Sequence, residues 1–210
     1  VIDDAERLCR WGHEVSDEVA QAISRESQGI CAVARTEAIE SVLPEIQSGD
    51  TLVVIAQGRD PGNVGTIIRT ADAMGARAII SVKGSVDSSS PKVIRSSAGS
   101  VFHLPIVPAA SFDEACQTLR GMNAAILGTC GAQGAYSLTS LMSYAAWERR
   151  GWLAQTHAWV FGNEAQGMSE AEMASCDALV MIPMSGNAES LNVASAAAMC
   201  LFASQSVRLG

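Results

Sequence analysis

Asn63 and Arg69 are the first residues of this chain whose types and spacing suit joint chemistry. An arginine fork grips an oxyanion and an asparagine amide orients a hydroxyl, so the pair fits a phosphate or a sugar hydroxyl. Both lie in Asp60-Pro61-Gly62-Asn63-Val64-Gly65-Thr66-Ile67-Ile68-Arg69-Thr70-Ala71, directly after the apolar run Thr51–Ala56, which reads as a buried strand. Val64, Ile67, Ile68, Ala71 and Met74 then recur at helical spacing. The expected place for the pair is past the carboxyl end of a central strand, where open α/β sheets bind ligands. Six positions span less than two helical turns, so one pocket can hold both if Asn63 lies in the loop.

Two further clusters share this grammar of strand, small-residue loop and helix start. His157–Phe161 is a short apolar strand candidate that runs into Gly162-Asn163-Glu164-Ala165-Gln166-Gly167-Met168-Ser169. Ala178–Met184 is another, with its strand ending at Pro183, followed by Ser185-Gly186-Asn187-Ala188-Glu189-Ser190-Leu191-Asn192 and an alanine-rich helix beginning near Ser190. On one parallel sheet the three loops would converge on one rim.

Taken together, the clusters resemble the three signature motifs of the SpoU (TrmH) family of RNA ribose 2′-O-methyltransferases, within the SPOUT knotted methyltransferases. The first match runs through Asn63, Gly65, Arg69, Thr70, Ala71 and Gly75, and the second through Gly162, Glu164, Gly167, Met168 and Ser169. The third runs through Ile182, Pro183, Met184, Gly186, Ser190, Leu191, Asn192, Val193 and Ala197. The resemblance covers roughly residues 51 to 205 in the family's order. It implies S-adenosylmethionine as cofactor, a deep C-terminal trefoil knot, and a homodimer whose active site borrows residues from both subunits. Carried over to this sequence, the backbone around Thr129, Gly162, Ile182, Met184 and Leu191 holds the cofactor. Arg69 anchors phosphate and stabilises the developing alkoxide, Asn63 positions ribose or phosphate, and Glu164 orients other groups. Ser190 and Asn192 shape the site. Taken singly, each has a plainer reading: Asn63 as a turn former, Asn192 as a helix-start residue, Ser190 as an N-cap, Glu164 as a loop carboxylate and Met184 as packing.

The implied reaction is methylation of a ribose 2′-hydroxyl of structured RNA, rRNA or tRNA. Alternatives are a catalytically silent RNA-binding or assembly protein of the same fold and an RNA base methyltransferase. A formal charge of −8 and a pI near 4.8 are unusual for a nucleic-acid binder, although a local positive patch suffices for polyanions. Arg59, Arg69, Arg77 and Arg95 cluster around the first motif, and Arg149 with Arg150 makes another pair. The six cysteines lack C-x-x-C or zinc-like spacing, Cys176 and Cys200 read as core thiols, and the histidines are isolated, so no metal is expected. No G-x-G-x-x-G or P-loop occurs. With neither an apolar span of about 18 residues nor a secretory leader, the expected location is cytoplasmic and off the membrane. A start at Val1 rather than Met leads us to expect a truncated or cleaved form.

The fold class expected is α/β, a mostly parallel sheet with helices on both faces. Residues 1–40 are read as the end of an N-terminal RNA-binding domain plus linker, and 41–210 as the catalytic domain. In the former, Glu14–Ser24 is expected as a helix capped by Ser16 and Gln28–Ala34 as a strand; residues 35–50, across the boundary, are expected as a polar connection or short helix. In the latter, strands are expected over Ala78–Val82, Val101–Val107 and Ala124–Thr129, with helices from Ser88-Ser89-Ser90-Pro91 and over Phe112–Leu119. The helix face Ala194–Ala203 suits close packing, in the core or at a dimer interface.

Overall fold

Every residue of Thr51–Ile55 (β1) is buried, as expected of a parallel strand covered on both faces. In the computed structural model β1 joins β2 (Ala78–Val82), β3 (Ile106–Ala109), β4 (Ala125–Thr129), β5 (Tyr136–Ser137), β6 (His157–Phe161) and β7 (Ala178–Met181). The seven strands run in the order β3-β2-β1-β6-β4-β7-β5, and every pairing is parallel. All residues are described except 1–6, 8, 10, 26, 28, 40, 132, 133, 149, 164 and 210. The chain divides into two units, residues 1–35 and 36–210.

Period-two alternation builds two cores. Val53, Ile55, Leu127, Trp159 and Phe161 face helices α2 (Pro61–Ala73), α3 (Pro91–Ser96), α5 (Leu138–Glu148) and α7 (Val193–Leu209). Leu52, Val54, Ile126, Ala158 and Val160 face α4 (Phe112–Gly121) and α6 (Glu170–Ala174). Each fully buried large side chain contributes about 1.5–3 kcal/mol. Ala194, Ala197, Cys200, Leu201 and Ala203 are the inward face of α7, whose small residues allow close packing on α2.

One polar knot sits inside the first core. His157 Nδ1–H donates to the Gln155 carbonyl at 2.8 Å, which leaves Nε2 as an acceptor 2.7 Å from Ser204 Oγ. Trp159 Nε1–H also donates to Ser204 Oγ, at 2.8 Å, so two residues of β6 hold α7 through one hydroxyl. Burial pushes the His157 imidazole down to about 4.

The chain direction reverses at the sheet's centre. From β1 it runs outward through β2 to β3, then crosses back over β1 and β6 to β4. The crevice outside the carboxyl ends of β1 and β6 is therefore a topological switch point.

Four expectations need correction. Val101–Val107 is not one strand: Ala98 (φ 50°) and Gly99 (φ 93°) turn the chain into a short 3₁₀ segment, Ser100–Phe102, and β3 starts at Ile106. Pro108 fits in β3 because that strand is at the sheet edge. The strand expected to reach Pro183 ends at Met181, and the last helix starts at Val193 rather than near Ser190. Within 1–35, helix α1 (Asp17–Ile23) forms behind Ser16 as expected, but the described residues of Gln28–Ala34 form no strand; Gln28 itself lies outside the described residues. Among the described residues of this unit there is no strand to pair with them.

Candidate active site

The first loop is fixed by a helix cap. Asp60 Oδ1 accepts the Asn63 N–H at 2.8 Å, and Pro61 occupies the first helical position with its φ already suited to a helix. That N–H holds the Asp60 carboxyl below its usual range. Asn63 thus lies in the first turn of α2, not in a loop, which changes its relation to Arg69. Six helical positions separate side chains by about 9 Å along the axis and about 120° around it. Arg69 is exposed and makes no hydrogen bond or ion pair with another described residue, whereas Asn63 is half-buried and turned toward the third motif. Gly65 allows α2 to lie against α3: a Cβ there would sit 2.8 Å from the Val93 carbonyl oxygen.

The second loop leaves β6 as a closed turn. Asn163 and Gly167 exchange backbone hydrogen bonds of 3.0 and 2.8 Å, and Asn163 Oδ1 accepts the N–H groups of Ala165 and Gln166. Gly167 takes φ 69°, in the left-handed region. At Gly162 a Cβ would meet the Gly167 carbonyl carbon at 2.6 Å and the Met168 nitrogen at 2.7 Å, so only glycine lets the strand end pass so close to the loop. Glu164 lies outside the described residues. Beside the turn, Thr129 Oγ1 donates to the Val160 carbonyl at 2.8 Å and ties the ends of β4 and β6 together.

From β7 the third loop runs through half-buried Ile182 and exposed Met184, Ser190 and Leu191. Asn192, not Ser190, caps α7: its Oδ1 accepts the N–H groups of Ala194 and Ser195 at 2.8 and 3.2 Å. Its Nδ2 donates to Asn63 Oδ1 at 3.0 Å and joins the third motif to the first. This settles the amide orientation of Asn63. Its oxygen is turned toward Asn192, so its NH₂ donors point elsewhere and remain for an incoming oxygen.

Two residues missed in the sequence brace the rim from the other side. Glu172 is buried and forms a capping box with Ser169, while its Oε1 accepts from Gln57 Nε2 at 3.1 Å, linking the loop after β1 to that after β6. The S-x-x-E spacing from Ser169 to Glu172 signals such a box.

The structure therefore brings Asn63 and Asn192 into contact and sets Thr129, Gly162 and Ile182 at the carboxyl ends of parallel β4, β6 and β7, with β4 between the other two. It leaves Arg69 on a different face of α2. Among the described residues no group of three His, Cys, Asp or Glu side chains could hold a metal ion. Burial raises the Cys176 and Cys200 thiols to about 12, so neither is a nucleophile at neutral pH. No helix built from described residues is long and apolar enough to cross a membrane.

In sequence and in fold the chain is similar to known proteins. The model of the SpoU rRNA Methylase family matches residues 50–202. The 23S rRNA (guanosine-2′-O-)-methyltransferase RlmB of Bordetella pertussis is 31% identical over 215 residues, covering 100% of this chain and 83% of that protein. The 23S rRNA (uridine(2479)-2′-O)-methyltransferase of Streptomyces viridochromogenes is 35% identical over 71% of this chain and 50% of its own length. Among solved structures, the AdoMet-bound rRNA methyltransferase of Sinorhizobium meliloti superposes with a TM-score of 0.73 at 29% identity, covering 91% of this chain and 70% of that one.

Proposed function

We infer the function from one premise: the chain belongs to the SpoU rRNA methylase family. It is an rRNA methyltransferase that acts on a ribose 2′-hydroxyl. One observation carries the reading at this site. The Asn192–Asn63 hydrogen bond joins the first and third motif loops on the rim from which the second also emerges, at the switch point of a parallel sheet.

S-adenosylmethionine is the cofactor we assign, and when bound it supplies an activated methyl on a sulfonium. The residues present fit it. Gly162, with no side chain, lets the end of β6 pack against the Gly167–Met168 backbone and so shapes the second loop, while Met184 and Leu191, 42% and 36% exposed, offer apolar surface on the third loop, and Thr129 and Ile182 are half-buried at the carboxyl ends of β4 and β7. The cofactor would rest on the backbone and apolar atoms of these five residues.

The chain's own residues handle the acceptor. Asn63 presents two N–H donors to the ribose or phosphate oxygen, held in that orientation by Asn192, which acts as a positioning residue. Arg69, with five N–H donors and no acceptor, is a poor base and a good anchor. It binds the phosphate beside the target ribose and stabilises charge on the 2′-oxygen as its proton departs. Because Arg69 faces away from Asn63, we assign it to the site of a second subunit. Met199, Phe202 and Leu209, 44%, 57% and 78% exposed on α7, supply an apolar stripe for that homodimer. Under the same reading Glu164 orients site groups, Ser190 shapes the third loop, the C-terminal segment is knotted, and the protein works in the cytoplasm.

The test is methyl transfer from labelled S-adenosylmethionine to rRNA, followed by nuclease digestion and mass analysis of the nucleosides. A 2′-O-methylated nucleoside is expected; a base-methylated one overturns the acceptor assignment. Arg69→Ala is expected to lose at least about 10²-fold in rate while its melting temperature holds, because the side chain is exposed and bonds to no other described residue. Undiminished transfer by that variant refutes the role given to Arg69.

A further inference from the structure

A cavity of about 500 Å³ opens outside the carboxyl ends of β2 and β3, away from β4, β6 and β7. Its volume is in the range of small-molecule sites. It adjoins the first motif loop through two bonds: Val86 N–H donates to the Gly58 carbonyl at 2.8 Å, and Ser85 Oγ donates to the Ile55 carbonyl at 3.1 Å. The segment carrying these residues is therefore fastened to the turn that leads into α2.

Val82, Val86, Ile106 and Pro108 give the cavity apolar surface, and Lys83, Asp87 and Glu114 give it charge. Both carboxylates are anchored by one oxygen only. Glu114 Oε2 accepts the Ala110 N–H at 2.6 Å, and Asp87 Oδ1 accepts the N–H and hydroxyl of Ser89, each at 2.7 Å. Glu114 Oε1, Asp87 Oδ2 and Lys83 Nζ make no hydrogen bond or ion pair with another described residue. Two carboxylates against one ammonium disfavour a phosphate. They favour a flat, largely apolar ligand with adjacent donors on one edge and acceptors on another.

Among nucleobases guanine has that pattern: N1–H and the N2 amino group side by side, with O6 and N7 as acceptors. A carboxylate takes both donors, and lysine is a common partner of O6 and N7. Adenine and cytosine place a ring acceptor beside the amino group, where a carboxylate repels it, and uracil has a single ring donor. We propose that this cavity binds an unstacked guanine of the substrate RNA, read by Glu114 and Asp87 on its donor edge and by Lys83 on its acceptor edge. The proposal rests on RNA being the substrate. It assigns the protein a base-reading site separate from the rim where methyl transfer is placed.

The test uses the full chain, ¹⁵N-labelled, titrated by NMR with GMP, AMP, CMP and UMP, which share one phosphate and differ in base. GMP is expected to shift the amides of Val82, Lys83, Val86, Ala109 and Ala110 saturably, and the other three to bind at least ten-fold more weakly. Glu114→Gln and Asp87→Asn keep the anchoring acceptor oxygens and are expected each to weaken GMP at least ten-fold, with the remaining spectrum showing that the fold is intact. The proposal is overturned if GMP leaves these amides unmoved, if the four nucleotides bind alike, or if both variants bind GMP as the parent does. Neither S-adenosylmethionine nor turnover enters the measurement, so its failure is distinct from failure of the methyltransferase reading.

Discussion

Replacing Asn192 separates its two jobs. Its Oδ1 caps α7 through Ala194 and Ser195, and its Nδ2 fixes the amide of Asn63. Losing an asparagine cap costs about 1 kcal/mol. An exposed hydrogen bond of the Asn63 kind adds about 0.5–1 kcal/mol. Asn192→Ala should therefore destabilise by about 1.5–2 kcal/mol, a fall in melting temperature of about 5 °C for a chain of this size. Asn192→Asp behaves differently. The carboxylate still caps and suits the positive end of the helix, so stability should hold within about 0.5 kcal/mol. It cannot donate, however, so the Asn63 amide turns to give its own N–H to the new acceptor.

That turn places Asn63 Oδ1 where its donors had been. An acceptor then faces the ribose or phosphate oxygen, and a preorganised donor of this kind is worth about 10²-fold or more in rate. Thermal denaturation and steady-state methyl transfer on rRNA, run on both variants, read the two effects independently. The expected result is an unstable Asn192→Ala and a stable but slow Asn192→Asp. A fully active Asn192→Asp would falsify the idea that Asn192 orients Asn63, and an Asn192→Ala that melts with the parent would remove the cap.

Other expectations follow from the packing. His157 titrates near 4 in the folded protein against 6.5 ordinarily, so its stabilising contribution is complete above about pH 6.5 and declines as pH falls toward 4. The loss reaches about 2 kcal/mol near pH 5 and about 3 kcal/mol at the lower limit. An NMR titration of the imidazole should show a midpoint near 4, and a midpoint near 6.5 would contradict its burial against Ser204. Gly162→Ala puts a methyl 2.6–2.7 Å from backbone atoms of Gly167 and Met168, which no rotamer relieves. It should cost about 1–3 kcal/mol and abolish S-adenosylmethionine binding by calorimetry, whereas unchanged affinity would show that the loop's closeness does not matter to the cofactor.

Much of the sheet was legible because parallel strands buried on both faces are short apolar runs, as in Thr51–Ile55, Ala78–Val82 and His157–Phe161. Val101 and Leu104 misled for the same reason: they are buried in the first core, yet from a 3₁₀ segment and its exit rather than from a strand. Tyr136–Ser137 escaped because two residues carry no periodicity. The condition that Asn63 lie in a loop fails at the Asp-Pro pair before it, a helix start in plain view.

What could not be read in the chain has a common cause. The Asn63–Asn192 bond spans 129 positions, and the Gln57–Glu172 bond 115. The cavity beside Lys83 exists only because β2 and β3 pair and bring residues 81–89 to residues 106–114. A cap, a turn glycine or an apolar stripe is dictated by neighbours in sequence and is visible there. An amide's orientation, or the lining of one cavity by two carboxylates and an ammonium, depends on strand order. In this protein the motif residues were readable, while the factor that decides what each can do, namely which atoms the fold has already engaged, was not. Asn63 illustrates this: its type admits either a donor or an acceptor role, and the bond from Asn192 turns its oxygen inward and leaves its N–H donors to be used.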